Sequence, residues 1–322
     1  MHILFVSDPV STFKTHKDST FAMMREASRA GSKISFCLPS DISWHAGSQV
    51  VSLCRTLELN PEVYTTSEYK GSNWYRITSE HSQVLAEFDA IVMRKDPPFD
   101  TEYFYATHLL GQAQREGARV FNDPAALRDH PEKLSLMEFA QYTCPTLVSR
   151  HPEQIRAFHA QYGDIILKPL DGMGGTGIFR IRSDGMNLGS VIETLNNHGQ
   201  NTVMAQQYQP AIAQGDKRIL IIDGQPIPYV LARMPQGSEI RGNLAAGGKG
   251  VAQPLSEENR LIAEHIGKVL APRGLLLIGL DMIGNVITEI NVTSPTCFQE
   301  IEQQTGLNVA AVFMNALQSK CS

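Results

Sequence analysis

Asp281, Glu289 and Asn291 lie in one stretch, residues 281–296 (DMIGNVITEINVTSPT). They offer two carboxylates and an amide oxygen, the hard donors that suit Mg²⁺. Glu289 and Asn291 are two apart on an expected strand and so share a face. Asp281 lies on the preceding strand, across Gly284-Asn285. A two-residue turn there would pair position 281 with 288 and turn Glu289 to the opposite face. A three-residue loop, or a bulge, would pair 281 with 289 and bring the carboxylates together. The metal reading requires one of these. The plain alternative is an edge hairpin with solvated acids. It fits poorly with a Glu289 placed between Thr288 and Ile290 in an otherwise apolar strand.

A second stretch, residues 165–182 (IILKPLDGMGGTGIFRIR), contains Gly172, Gly174, Gly175 and Gly177. Gly172, Gly174 and Gly177 satisfy GxGxxG, but a dinucleotide fingerprint needs a helix straight after the loop. Here residues 178–182 (IFRIR) are β-branched and alternating, which is a strand. No Gly-Lys-Ser/Thr follows, so the loop is not a Walker A motif either. A strand, a glycine flap and a second strand remain. Such a flap brings backbone N–H groups close to phosphate oxygens because no Cβ intervenes. Lys168, four residues before it, is placed to meet phosphate as a point charge. Lys133 could be a second cation, but read from sequence it is a solvated helix lysine.

Arg218, Arg233 and Arg241 follow, with Asn243 nearby. Bidentate arginines suit a substrate with more than one carboxylate; scattered surface arginine is the plain alternative. Residues 234–250 (MPQGSEIRGNLAAGGKG) are glycine-rich and weakly hydrophobic, and read as a mobile lid.

These residues need a scaffold. Strand–helix–strand alternation over the first 121 residues predicts a parallel sheet covered by helices: strands at 2–6, 34–38, 90–93 and 119–121, helices at 18–30 and 101–116. Residues 41–80 are less regular and could form a strand-rich excursion. A helix is expected at 132–142. Asp223-Gly224 is a strong hairpin signal between strands at 218–222 and 229–233. A strand at 203–206 is followed by a hinge at Gln209-Pro210. The expected units are residues 1–128, 129–210 and 211–322.

The chain has 322 residues, a net charge of −5 and 42% hydrophobic residues. That is an ordinary globular composition. The acidic balance argues against nucleic-acid or membrane-surface binding. The apolar N-terminal run is too short for a signal peptide, and no run approaches the ~20 residues of a membrane span. Five dispersed cysteines form no CxxC pair and fit free thiols in a reducing cytoplasm.

Through most of its length the chain resembles the bacterial glutathione synthetases, which are ATP-grasp ligases. The resemblance rests on KDSTFAMM (17–24), MRKDPPFDTE (93–102), ILKPLDGMGG (166–175), RGNLAAGG (241–248) and TEINVTSPT (288–296). It implies an α/β (α+β) ATP-grasp fold behind an N-terminal parallel α/β domain. It implies ATP as co-substrate with Mg²⁺ or Mn²⁺, and γ-glutamylcysteine and glycine as substrates. It further implies that Lys133 and Lys168 contact the nucleotide phosphates with the flap glycines, and that Gln206, Gln207, Tyr208 and Gln209 hold the adenine. Asp281, Glu289 and Asn291 would hold the metal, and Arg218, Arg233, Arg241 and Asn243 the substrates. Arg218 or Arg233 would stabilise a tetrahedral oxyanion. A homodimer or homotetramer is expected on the same ground. The rivals are another ATP-grasp carboxylate–amine ligase, a small-molecule kinase and a non-catalytic nucleotide module.

Overall fold

Three sheets, each fitted with its own connections, make up the computed structural model, which describes residues 1–65, 69–237, 239–244 and 247–322. The expected lid at 234–250 includes residues 238, 245 and 246, which lie outside the described residues, as do two residues of the RGNLAAGG motif.

The first sheet has seven strands. They are β1 (His2–Ser7), β2 (Lys33–Cys37), β3 (Ile42–Ser43), β4 (Val51–Leu59), β5 (Tyr75–Val84), β6 (Ala90–Arg94) and β7 (Val120–Phe121). β2, β1, β6 and β7 run parallel, as the alternation predicts. Within residues 41–80, of which 66–68 lie outside the described residues, the excursion is present: β4 pairs antiparallel with β2, and the long β5 pairs with β4. Helix α1 (Ser19–Arg29) starts where Asp18 accepts a bond from Phe21 N at 2.7 Å and stops before Gly31, at φ +77°. α2 (Thr101–Arg115) and α3 (Pro124–Asp129) complete this part.

The second sheet has four strands in the order β10-β9-β11-β8. They are β8 (Thr146–Ser149), β9 (Ile165–Pro169), β10 (Phe179–Ile181) and β11 (Val203–Gln207), backed by α4 (Pro152–Tyr162) and α5 (Leu188–Asn196). Their buried residues, among them Ile155, Ile165, Leu167, Ile192 and Val203, form a small core of their own.

The third sheet has five strands in the order β14-β13-β12-β15-β16. They are β12 (Asp216–Ile222), β13 (Gln225–Met234), β14 (Lys249–Pro254), β15 (Leu277–Ile283) and β16 (Val286–Asn291). Asp223 and Gly224 both take positive φ (48° and 76°) in the turn that joins β12 to β13. α6 (Glu257–Leu270), α7 (Phe298–Thr305) and α8 (Val309–Cys321) pack on it. Its apolar residues merge with those of the first sheet: Leu4, Val6 and Ile91 share one cluster with Ile219, Ile278 and Leu280. The third sheet is thus built into the N-terminal part, while the second contributes Met204 of β11 to that cluster and keeps most of its buried apolar residues in its own.

One expected element is corrected. Residues 134–142 form a 3-10 stretch rather than an α-helix, with a kink at Phe139 (φ −118°, ψ 37°). The backbone on either side is drawn into pairing with β16: Glu132 O accepts from Ile290 N at 3.0 Å, and Thr143 bridges to Ile287.

Candidate active site

The β15–β16 hairpin resolves the register question through a bulge. Ile283 pairs with Val286 and Met282 with Ile287, so the turn at Gly284-Asn285 has two residues. The register then shifts, and Asp281 pairs with Glu289 and Gly279 with Asn291. Thr288 is the extra residue, and it returns Glu289 and Asn291 to the face of Asp281. Its own groups are used: the hydroxyl donates to Asp281 O at 3.1 Å, and its carbonyl accepts from Lys168 Nζ at 3.0 Å.

On the next strand Arg218 stands opposite Asp281, and Arg233 opposite Asp216. Arg218 grips Asp281 through Nε (2.6 Å) and Nη2 (3.2 Å). Arg233 Nη2 bridges Asp281 Oδ2 (2.9 Å) and Asp216 Oδ2 (2.5 Å). All four side chains are buried. Burial alone would raise the Asp281 carboxyl, but Arg218 and then Arg233 hold it well below the usual range. Asp216 behaves oppositely. Burial pushes it up to about 6 against the pull of Arg233, with Asp281 adding repulsion, and its Oδ1 is buried without a hydrogen-bond partner.

Lys168 projects from β9 and is buried; that burial lowers its pKa, while Glu289 opposes the shift. Lys133 is not a solvated helix lysine. It is only 5% exposed, and its Nζ bonds Gly172 O (2.6 Å) and Glu289 Oε1 (2.9 Å). The kinked backbone on β16 delivers it there.

β9 and β10 form the expected hairpin, with Leu167 opposite Phe179. In the flap between them Gly174, Gly175 and Gly177 have positive φ. A Cβ at Gly175 would lie 2.8 Å from Asn243 Oδ1, so the flap and residues 239–244 approach to a distance only glycine permits. Arg241 Nη1 donates to Gly175 O at 3.0 Å, and Arg241 also pairs with Glu239. Arg241 therefore joins the flap and not the Arg218–Arg233 network. Gly177 packs on Pro169.

Two cavities meet at the acids. One lies between the second and third sheets. It is lined by both lysines, by Gly172, Gly174 and Gly175, and by Gln206, Gln207, Tyr208 and Gln209. The Arg180 guanidinium, held by Asp164 at 2.9 and 2.5 Å, stacks 3.5 Å from the centre of the Tyr208 ring. The other cavity lies toward the N-terminal part and is lined by Arg218, Arg233, Asn291 and Thr293. Asp281, Glu289, Gly174 and Asn243 line both.

Three carboxylates at the site were missed from sequence: Asp96 and Glu132 in the second cavity and Asp216 in the first. Asp216 alternates with Arg218 on β12, a period-two signal that could have exposed it. Glu132, beside Lys133, lines the second cavity; burial, then Glu289, raises its pKa. No spacing marks it.

The oxygen donors fit a divalent cation. Asn291 Nδ2 donates to Gly279 O (3.2 Å), which fixes its Oδ1 as the ligand end, and Glu289 keeps Oε2 beyond its pair with Lys133. Among the described residues no group of three or more His, Cys, Asp or Glu side chains forms a metal cage. Mg²⁺ typically takes one or two carboxylates and completes its shell with phosphate and water.

Residues 132–306 match the family model "Prokaryotic glutathione synthetase, ATP-grasp domain", and residues 1–128 match "Prokaryotic glutathione synthetase, N-terminal domain". A glutathione synthetase of Ralstonia nicotianae is 56% identical over 99% of this chain and 95% of its own length. One of Neisseria meningitidis serogroup A is 49% identical over 98% of each. Among solved structures, D-cycloserine synthetase DcsG superimposes with a TM-score of 0.67 over the whole of both chains at 14% identity. The ATP-grasp ligase PsnB, in a complex with minimal precursor, Mg and ADP, gives 0.62 over 99% and 97% at 18% identity. These two establish the ATP-grasp fold only.

Proposed function

We infer, from the premise that the chain belongs to the prokaryotic glutathione synthetase family, that it is an ATP-dependent ligase joining γ-L-glutamyl-L-cysteine to glycine. The products are glutathione, ADP and phosphate. The observation that carries the reading is the bulge at Thr288, which sets Glu289 beside Asp281 and anchors Lys168 above them.

In the proposed reaction ATP lies in the first cavity, with adenine against residues 206–209 and phosphates under the flap. Lys133 and Lys168 neutralise phosphate charge, and the close backbone of Gly172, Gly174 and Gly175 directs N–H groups at it. Glu289, Asn291 and Asp281 would hold the divalent cation, Mg²⁺ or Mn²⁺, Asp281 through the lone pair that its bonds to Arg218 and Arg233 leave on Oδ1. When bound, the cation offsets charge on the transferring phosphoryl group. The dipeptide occupies the second cavity with its carboxylates toward Arg218 and Arg233. Its cysteinyl carboxylate attacks the γ-phosphorus, ADP leaves, and an acyl phosphate forms. Glycine's amine attacks the acyl carbon, loses a proton, and phosphate departs. Arg218 or Arg233 stabilises the oxyanion between these steps. Arg241 and Asn243 close the flap over the nucleotide, and so exclude water from the acyl phosphate.

Unit boundaries near 128 and 210 accompany this reading. So does self-association, for which Trp44, Phe104 and Tyr105 form an exposed aromatic surface. No helix among the described residues is long and apolar enough to cross a membrane; a cytoplasmic site is part of the proposal. The test is phosphate release with γ-glutamylcysteine and a panel of amino acids. Release should need both the dipeptide and glycine. Accumulation of a stable phosphorylated dipeptide, with no dependence on an amine, would identify a kinase.

A further inference from the structure

Past Asn291 the third sheet ends, yet residues 293, 294 and 296 still line the second cavity. Among the described residues no strand pairs with this segment. Three side chains from elsewhere hold its backbone. Asn122 Nδ2 donates to Val292 O and to Leu277 O, both at 2.8 Å. Arg94 Nη2 donates to Pro295 O at 3.0 Å. Glu132 Oε1 accepts three bonds: from Val292 N (3.1 Å), Thr293 N (3.2 Å) and Thr293 Oγ1 (2.7 Å).

Glu132 differs from the other two. Its backbone carbonyl accepts from Ile290 N (3.0 Å), so it holds the chain on both sides of Asn291. The next residue, Lys133, pairs with Glu289. A carboxylate is an expensive group to bury beside a second carboxylate. In return, one ionised oxygen can gather two amides and a hydroxyl, which a strand partner could not do at this bend.

We propose that Glu132 is a positioning residue for the dipeptide substrate. Through its three bonds it sets the path of residues 292–294, and with it the wall of the second cavity. It does not act on the nucleotide. The proposal rests on the assignment of the second cavity to the dipeptide.

The test compares wild type, Glu132→Gln, Thr293→Val and the double variant. Both substitutions are close to isosteric and leave the core volume unchanged, and Glu132→Asp supplies a charged variant too short to span the three donors. In Glu132→Gln the KM for γ-glutamylcysteine should rise about tenfold or more, the effect of a lost charge-assisted bond. The KM for ATP and the affinity for ADP should stay within about twofold, since the first cavity is untouched. Glu132→Asp should resemble it. Thr293→Val should show a smaller effect in the same parameter, and the double variant should lose less than the product of the two, because they share one bond. The proposal is overturned if Glu132→Gln and Thr293→Val both leave the dipeptide KM within twofold. It is equally overturned if ADP affinity and melting temperature fall in step with activity, the mark of a general structural role. Wild-type ligation of γ-glutamylcysteine, measured alongside, isolates a failure of the functional reading from a failure of this one.

Discussion

The second and third sheets face each other across the nucleotide cavity, but the molecule holds them in different ways. The four-stranded sheet has a small core of its own, built on residues such as Ile155, Leu167 and Val203. The five-stranded sheet shares its core with the N-terminal sheet. Their charges differ as well. Lys168 and Lys133 end on carbonyls and on one carboxylate, with donors to spare for an incoming anion. Arg218, Arg233, Asp281 and Asp216 pair with one another in a buried network that leaves Asp216 Oδ1 without a partner. The separable sheet is suited to open and close over a nucleotide, while the embedded one keeps ligand geometry fixed.

The hardest test of that contrast is Glu289→Gln. It removes a carboxylate from the rigid side while sparing its hydrogen-bond shape. Turnover should fall by about a hundredfold or more, with the dipeptide KM altered only a few-fold; steady-state kinetics at saturating metal would read both. Wild-type turnover would refute the metal assignment.

Arg218→Ala addresses the network. Asp281 would stay buried with Arg233 alone, at a cost of about 3 kcal/mol in stability, visible as a lower denaturant midpoint. Unchanged stability would mean that the network is looser than its geometry.

Asp216 gives the pH dependence of the same network. Its folded pKa of about 6 lies above the ordinary 3.8 of an aspartate, so the fold favours the protonated form. That contribution is complete below about pH 4 and is lost as pH rises through about 6. Relative to Asp216→Asn, the wild type should lose on the order of 2 kcal/mol over this window, measured as a difference in thermal midpoints. A difference that grows in favour of the wild type as pH rises would show that Arg233 outweighs burial.

The smallest signal expected is in hydrogen exchange without nucleotide. Amides of β9 and β10 should open at lower free energy than those of β12 and β15. Equal protection would dissolve the distinction between a separable and an embedded sheet.

Much of this was legible in sequence, for reasons that can be named. Gly172, Gly174 and Gly177 followed by an alternating strand excluded a helix and left a flap. The Asp223-Gly224 turn and the parallel strands of the first sheet followed local rules. The face shared by Asp281 and Glu289 stayed open because a bulge costs one residue and has no fixed signature; Thr288 settles it. Lys133 was misread because local pattern shows a helix start, whereas long-range pairing with β16 bends that helix into a kinked 3-10 stretch. Glu132 had no signal at all, since its three partners lie 160 residues and more along the chain. Residues 238, 245 and 246 leave the lid reading without a complete structural counterpart.

The most direct test of the chemistry is to label the cysteinyl carboxylate of γ-glutamylcysteine with heavy oxygen and follow the label through one turnover with ATP and glycine. One labelled oxygen should appear in the released phosphate, because the acyl phosphate passes its bridging oxygen to the leaving group. Phosphate free of label would contradict carboxylate activation in the cleft between the lysines and the acids.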